Sequence, residues 1–522
     1  MTSTLTCRIL RGALLAGLLE AAGATNAITF PELPCGEVEG EAVLFGFDRA
    51  AFPFQDGVQT HLVAGQNPIS VLRPGPPGSH DEFTRFYGTV LRIDGQYHMW
   101  YWGEYGPELT QIGLGQGGHE DRRAASDPRQ PLLCYARSKD GVQWEKPALG
   151  LVDFKGSRAN NLVDFHVAQP LIPAAAVLHD PAEPDASRRF KLVYEARYDG
   201  QARFCVAFSP DGLRWTPSPR NPVGPFFEMG GVAKFNGLYY VCGQDFSSAH
   251  QPFRARSLAT MVSADFENWS PAAAVGLSRH DDRVGPSDEG DWNQREEVHL
   301  GAALWNRGTV LLGIYGQWHG HDTGDRRLMS VDLGLSLSHD GLHHVEPVPN
   351  FKLVAAREQP ESANEWPALI QGQGFVNEGN RTLFWYAAWR GRDDAGIRMV
   401  SWERDRLGYV RPFREKGGQV ISTRFALRGP APAALRLNVA GLGPNARVRV
   451  SLVDGGFRPV PGYSGVAAAT VTENGLEVPV TWAAKQDLPA HAGDLRMQIE
   501  FLGTRPEDVR LYSAYLRSGT KP

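Results

Sequence analysis

Glu228 lies in Pro225-Phe226-Phe227-Glu228-Met229, directly before an apolar, strand-like run. Glu296 and Glu297 hold the same place before another such run, in Asn293-Gln294-Arg295-Glu296-Glu297-Val298-His299, and Glu365 opens a third in Asn364-Glu365-Trp366-Pro367. Acids at the starts of strands that share an axis converge on one point. Two carboxyl groups across a glycosidic bond are what its cleavage needs, one giving a proton and the other attacking or activating water. The apolar neighbours Phe226, Phe227 and Met229 would raise the pKa of Glu228. Strand alternation would turn one of Glu296 and Glu297 inward, with His299.

A wider set of side chains could hold a substrate. Asp81, Glu82 and Arg85 precede the first such strand, and Asp164 and His166 follow Asn160-Asn161 before the second. Arg295 and His299 flank the Glu pair, and His319 sits in Trp318-His319-Gly320-His321-Asp322. Trp292 and Trp318 stand in polar loop surroundings where an indole face could stack on a sugar ring, and Trp366 stands beside the Glu365 carboxylate, a common sugar-platform pairing. Two histidines and one acid in that glycine-rich loop leave a metal's coordination sphere unfilled, so neither a metal nor a cofactor is expected. Gly113-Leu-Gly115-Gln-Gly117-Gly118 matches a dinucleotide fingerprint but leads into a charged stretch instead of a helix, so the context fails.

The elements that position these residues repeat. Ser138-Lys-Asp140-Gly141-Val-Gln-Trp144 returns as Ser209-Pro-Asp211-Gly212-Leu-Arg-Trp215, then as Ser263-Ala-Asp265-Phe266-Glu-Asn-Trp269 without the glycine. Ser338-His-Asp340-Gly341-Leu-His-His344 has lost the tryptophan, and Asp405 in Arg404-Asp405-Arg406-Leu407-Gly408-Tyr409 is a weaker fifth echo. Each Asp can accept from nearby backbone N–H groups, while Gly supplies positive φ. Upstream of every turn lies a strand–turn–strand unit. Five such units predict an all-β chain with a five-bladed β-propeller, residues 28–410. The segment around Leu44 to Phe54 is expected to supply the strand that closes the ring. Beyond a charged linker, period-2 strands such as Ala446–Asp454 and Asp494–Leu502 predict a β-sandwich over 419–519, with structural or sugar-binding duties.

Composition narrows the function. The 522 residues carry a formal net charge of −5, with no basic field for nucleic acid. Arg8 and Arg11 before the apolar run Ala13–Leu19, with small residues to Ala27, read as an export signal over 1–27, and so as a secreted or periplasmic protein. No later run is long and apolar enough to span a bilayer. The cysteines that follow, Cys35, Cys134, Cys205 and Cys242, show no CxxC and no disulfide framework.

The repeats, the strand-start acids and the trailing sandwich resemble the five-bladed propeller glycosidases of glycoside hydrolase families 32, 43, 62 and 68. The likeness is greatest to bacterial family-32-like proteins with Ser-x-Asp-Gly-x-x-Trp turns and a Gln-Trp-His-Gly segment, here Gln317-Trp318-His319-Gly320. Family 32's Trp-Glu-Cys-Pro-Asp-Leu segment has a partial echo in Phe227-Glu228-Met229-Gly230-Gly231-Val232, which implies a catalytic role for Glu228. The family's Asn-Asp-Pro-Asn-Gly motif is replaced by Thr84-Arg85-Phe86-Tyr87-Gly88, with Arg85 where the nucleophile would sit, and its Arg-Asp-Pro motif is missing. The resemblance implies a glycosidase acting at the end of a poly- or oligosaccharide. A non-catalytic carbohydrate-binding propeller, and a phosphorylase or transglycosylase on the same fold, remain alternatives.

Overall fold

The computed structural model describes residues 26–105, 131–226, 228–245, 256–279, 294–324, 328–356, 368–388, 396–413, 417–483, 487–489 and 493–519. Glu365, Trp292, Trp366, the 113–118 glycine run and most of the 1–27 segment lie outside these residues. Among the described residues the fold is all-β and propeller-like, with a few short 3-10 turns and no helix long and apolar enough to cross a membrane.

Five antiparallel meanders begin with the strands Phe83–Ile93, Leu171–His179, Met229–Phe235, Glu296–Asn306 and Leu369–Glu378. These first strands pack side by side in that order, and the last returns to the first through a parallel bridge, Gln373 to Thr89. Their neighbours read as near-continuous apolar runs because both faces are covered. Leu311–His319 is buried at every position but the last.

The repeated turns explain how the meanders hold one another. In each of the first four, the Ser hydroxyl accepts from the N–H three residues on, at 2.8–2.9 Å, from Gly141, Gly212, Phe266 or Gly341. Asp140 accepts from the N–H groups of Val142 and Gln143, and Asp211, Asp265 and Asp340 do the same in their turns. The glycine serves twice. Its φ is +74° at Gly141, and a Cβ there would stand 2.8 Å from the Trp385 ring of the preceding meander. Trp385 donates to Gly141 O at 3.0 Å, and Trp100 of the first meander donates to Gly212 O of the second at 2.7 Å. Each turn is thus a clasp between neighbouring sheets.

Two further sheets share one apolar core that includes Leu437, Val439, Val448, Val450, Met497, Ile499 and Leu511. Ala446–Asp454 shows why it is a strand, since Val448 and Val450 point inward while Arg447 and Arg449 point out. The expectation for Leu44 to Phe54 is corrected by the pairings. Glu41–Phe45 pairs with Arg510–Ser518 in these rear sheets, and Phe54–Asp56 pairs with Gly418–Ile421. The strand that completes the fifth meander is Gln66–Leu72, against Ile397–Glu403. Leu44 and Phe45 are fully apolar and need cover on both sides, which a ring-edge position would not give.

Candidate functional site

All five first strands slip register close to their starts, between Arg85 and Thr89, Ile172 and Ala175, Met229 and Gly231, His299 and Ala302, and Gln371 and Phe375. Bulges of this kind re-aim side chains at the rims of closed sheets. Below that level the axis is filled. The Gln371 amide donates toward the carbonyls of His299, Leu300 and Gly301 at 3.1–3.4 Å, and Gln373 binds both the N–H and the carbonyl of Leu304 at 2.9 and 2.7 Å. A Cβ on Gly301 would stand 2.6 Å from the Gly243 backbone. The tunnel is plugged, and the side chains ahead of the bulges form a floor-bounded rim.

Glu228 is half-buried at that rim with φ +40°. Its carboxylate accepts from the Gln244 amide, whose oxygen in turn accepts from Leu300 N at 3.0 Å. One side chain therefore links Glu228 to the strand that carries Glu296 and Glu297. Those two diverge as alternation requires. Glu297 is fully buried, 2.8 Å from Arg256 Nε, and Arg256 lies over the Trp318 ring at 4.1 Å. Burial pushes the Glu297 carboxyl up to about 6 against the pull of Arg256. Glu296 keeps 22% of its side chain exposed, 2.9 Å from Arg279 and 2.8 Å from His319 Nδ1.

His319 faces Glu296 across the strand pair, and its Nε2 lies 3.1 Å from buried Asp332. Burial alone would lower the imidazole pKa, but Asp332 and Glu296 outweigh it and hold it above the ordinary value. Burial works against the Asp332 carboxylate too, yet His319, Lys352 at 2.7 Å and the Ala356 N–H at 2.7 Å hold it down at about 2. Arg279 is fixed by Trp318 O at 2.8 Å and Asn350 at 2.9 Å. The result is a file of alternating charge, Lys352–Asp332–His319–Glu296–Arg279, in which Glu296 is the partly exposed carboxylate.

The fold has likenesses among carbohydrate-active enzymes. A glycosyl hydrolase from Bacteroides ovatus aligns at 15% identity over 62% of this chain and 85% of its own, with a TM-score of 0.41. The β-1,2-mannobiose phosphorylase from Listeria innocua aligns at 12% identity over 70% of this chain and 96% of its own, with a TM-score of 0.40. No family model matches the chain, and no curated protein does. Likenesses this distant leave the chemistry to be read from the side chains themselves.

Several expected substrate contacts lie elsewhere. Trp318 is 0% exposed, inside a strand and beneath Arg256, so it cannot stack on a sugar. Buried His299 tilts against it with ring centroids 5.6 Å apart, and Arg295 is buried as well. Asp81 is buried, 2.5 Å from Lys146 and accepting from the Tyr101 hydroxyl at 2.9 Å, which makes it a brace for its loop. Glu82 accepts from Gly78 N in that loop at 2.9 Å. The Arg85 backbone pairs opposite Trp102, ahead of the first bulge and so at the rim itself. Asp164 and His166 stand 3.2 Å apart and exposed, where Asp164–Phe165 joins the outer edge strand Arg214–Pro217 far from the axis. Trp318, Asp164 and His166 share one cause: proximity to a strand start in sequence does not say which strand of the meander it is.

Sequence reasoning missed Gln244, Arg256, Arg279, Asp332 and Lys352. A lone acid in the apolar run Met329-Ser-Val-Asp332-Leu-Gly-Leu was the one available signal. The arginines carried none. The ring's other end holds a cleft of about 440 Å³ whose lining includes Arg92, Trp305, Arg307 and Phe375. There Trp305 is stacked on Phe375 at 4.8 Å and covered by Arg307 at 4.3 Å, so no aromatic face is open to a sugar.

Proposed function

We propose that the chain cleaves a terminal glycosidic bond of a poly- or oligosaccharide at this rim, with Glu228 and Glu296 as the paired carboxyl groups. The observation that carries this is the contrast between Glu296, partly exposed and backed by His319 and Arg279, and its neighbour Glu297, buried against Arg256. Only the former can meet a substrate, and Gln244 ties the Glu228 carboxylate to the same strand. The glutamine plug supports an end-on substrate, since a saccharide chain could not thread through. The imidazole on Glu296 offers a route for a proton to enter or leave that carboxyl group.

This reading takes the ring of meanders as a five-bladed catalytic propeller and the rear sheets as its β-sandwich, with 1–27 removed on export. The test is release of sugars from a panel of plant, algal and fungal glycans by the wild type, Glu228→Gln and Glu296→Gln. Cleavage that survives both substitutions overturns the assignment, and binding without cleavage by the wild type favours a carbohydrate-binding protein.

A second reading rests on the two buried guanidiniums of Arg256 and Arg279, 2.8 and 2.9 Å from Glu297 and Glu296. Inorganic phosphate could replace water as the attacking group beside such charge. Release of a sugar phosphate, and a rate proportional to phosphate concentration, would select that reading.

A further inference from the structure

The outer face of the six-stranded rear sheet carries charge that no described residue neutralises. Val58–Leu62 pairs with Gly408–Pro412, which pairs in turn with Arg510–Ser518. Val410 faces Leu511 and both belong to the core, so the alternate residues point outward. Tyr409 lies opposite His61 and Arg411 opposite Gln59. One residue on from the Val410–Leu511 pair, Arg411 and Arg510 come side by side on the outer face. Like charges directly across a strand pair oppose each other.

Elsewhere on the rear sheets, some exposed arginines have carboxylates, while Arg428 and Arg447 stand singly with none among the described residues. Arg449 is held by Glu500 at 2.6 and 2.7 Å, and Arg517 reaches Glu477 at 2.7 Å. Among the described residues Arg411 and Arg510 have no acid within ion-pair distance, and Arg411 Nε is a buried atom without a hydrogen-bond partner. His61 Nε2 is another. Beside them is an aromatic row. His61 is stacked on Tyr409 at 5.1 Å with 19° between the rings, and Tyr512 meets Tyr409 edge-on at 5.4 Å. Arg510 stands 5.4 Å from the Tyr409 centroid. Burial, then Arg411 and Arg510, lower the His61 pKa, so its ring is neutral at neutral pH and can donate or accept.

We propose that this face is a binding site for an acidic saccharide, in which Arg411 and Arg510 clamp one carboxylate or sulfate group. A guanidinium presents a planar fork of donors that fits either oxyanion with two hydrogen bonds. An anion between the two forks removes the repulsion that the bare sheet carries. The saccharide part of the proposal rests on the carbohydrate reading above, whereas the oxyanion part stands on the charges alone.

The test uses the full-length protein in affinity electrophoresis against polygalacturonate, dextran sulfate and neutral dextran. The wild type should be retarded by at least one charged polymer and not by dextran, with retardation fading as salt is raised. Binding of polygalacturonate alone identifies a uronate site, and binding of dextran sulfate alone identifies a sulfate-ester site. Arg411→Ala/Arg510→Ala should weaken binding tenfold or more. Arg428→Ala/Arg447→Ala, which removes two exposed charges elsewhere on the rear sheets, should leave it within twofold. Circular dichroism confirms that both variants fold. Absence of binding to both charged polymers overturns the proposal, as does equal loss in the two double variants. Glu228→Gln should bind as the wild type does. A protein that cleaves no glycan yet binds through these arginines would end the enzymatic reading and leave the site standing.

Discussion

His319 Nδ1 stands 2.8 Å from Glu296 Oε2, in a cross-strand pair at the mouth of the ring. Asp332 lies 3.1 Å from the other nitrogen, so each nitrogen of the imidazole faces a carboxylate. His319→Gln and Asp332→Asn should each lower kcat with a smaller effect on KM, by up to the roughly 100- to 10,000-fold that proton transfer by a positioned group contributes. Asp332→Asn should also move the imidazole titration of His319 toward lower pH, read by NMR. An unmoved titration would detach Asp332 from the site.

The same cluster sets a pH window for stability. His319 titrates above its ordinary 6.5 in the folded chain, so its contribution is complete below about 6.5 and is lost as pH rises through the folded value. Asp332 is lowered from 3.8 to about 2, so its contribution is complete above 3.8 and is lost as pH falls toward 2. Thermal midpoints measured from pH 2 to 9 should show both limbs, and Asp332→Asn should flatten both, because it removes the group at the acid end and the main partner of His319 at the other.

Glu228→Gln keeps shape and hydrogen bonding while removing the ionisable proton. Turnover should fall by about 100-fold or more with substrate binding retained. A variant that cleaves at the wild-type rate removes Glu228 from the mechanism.

Glu297 and Arg256 form a buried ion pair, and breaking one leaves an uncompensated charge. Glu297→Ala should cost about 3–5 kcal/mol, read by denaturant unfolding. The Glu297 carboxyl is raised from 4.5 to about 6, so its contribution is greatest below 4.5 and declines as pH rises through about 6. Loss of activity by Glu297→Gln in proportion to loss of folded protein would mark the residue as structural.

Asp405 joins the two bodies of the fold. It takes both Arg307 nitrogens at 2.7 and 3.1 Å, Asn377 at 3.0 Å and the Tyr515 hydroxyl at 2.9 Å. Tyr515→Phe should cost about 1.5–3 kcal/mol, as expected for a buried hydrogen bond to a charge, and Asp405→Ala more. Equal stabilities for the two variants would show that the contacts are not coupled in this way.

Much of the architecture was legible because it is local. Asp140, Asp211, Asp265 and Asp340 bind backbone groups two and three residues on, so the turn is written within seven residues and repeats wherever those residues repeat. Phe266 shows how far the rule stretches: it accepts φ +69° where its counterparts are glycine, and fills the space with its own ring. The fifth echo was less informative, since Asp405 spends its oxygens on Arg307 and Tyr515, partners 98 and 110 residues away.

By itself the sequence determined the class of fold, the repeated clasp and the presence of acids at the starts of strands. Alternation decided that Glu296 and Glu297 would point apart, but not which would reach solvent. Only the tertiary structure decided that, because the answer depends on where Arg256 and Arg279 arrive from other strands and on the Asp332–His319 contact. The same limit misplaced Trp318, Asp164 and His166. Hydrogen bonds to near neighbours are fixed by spacing along the chain, whereas burial and charge pairing are fixed by which distant segments pack together. The rear sheets followed the same division: their alternating strands were plain in the sequence, but the arrival of Glu41–Phe45 and Val58–Leu62 from the N-terminal end was decided by the apolar cover those strands required.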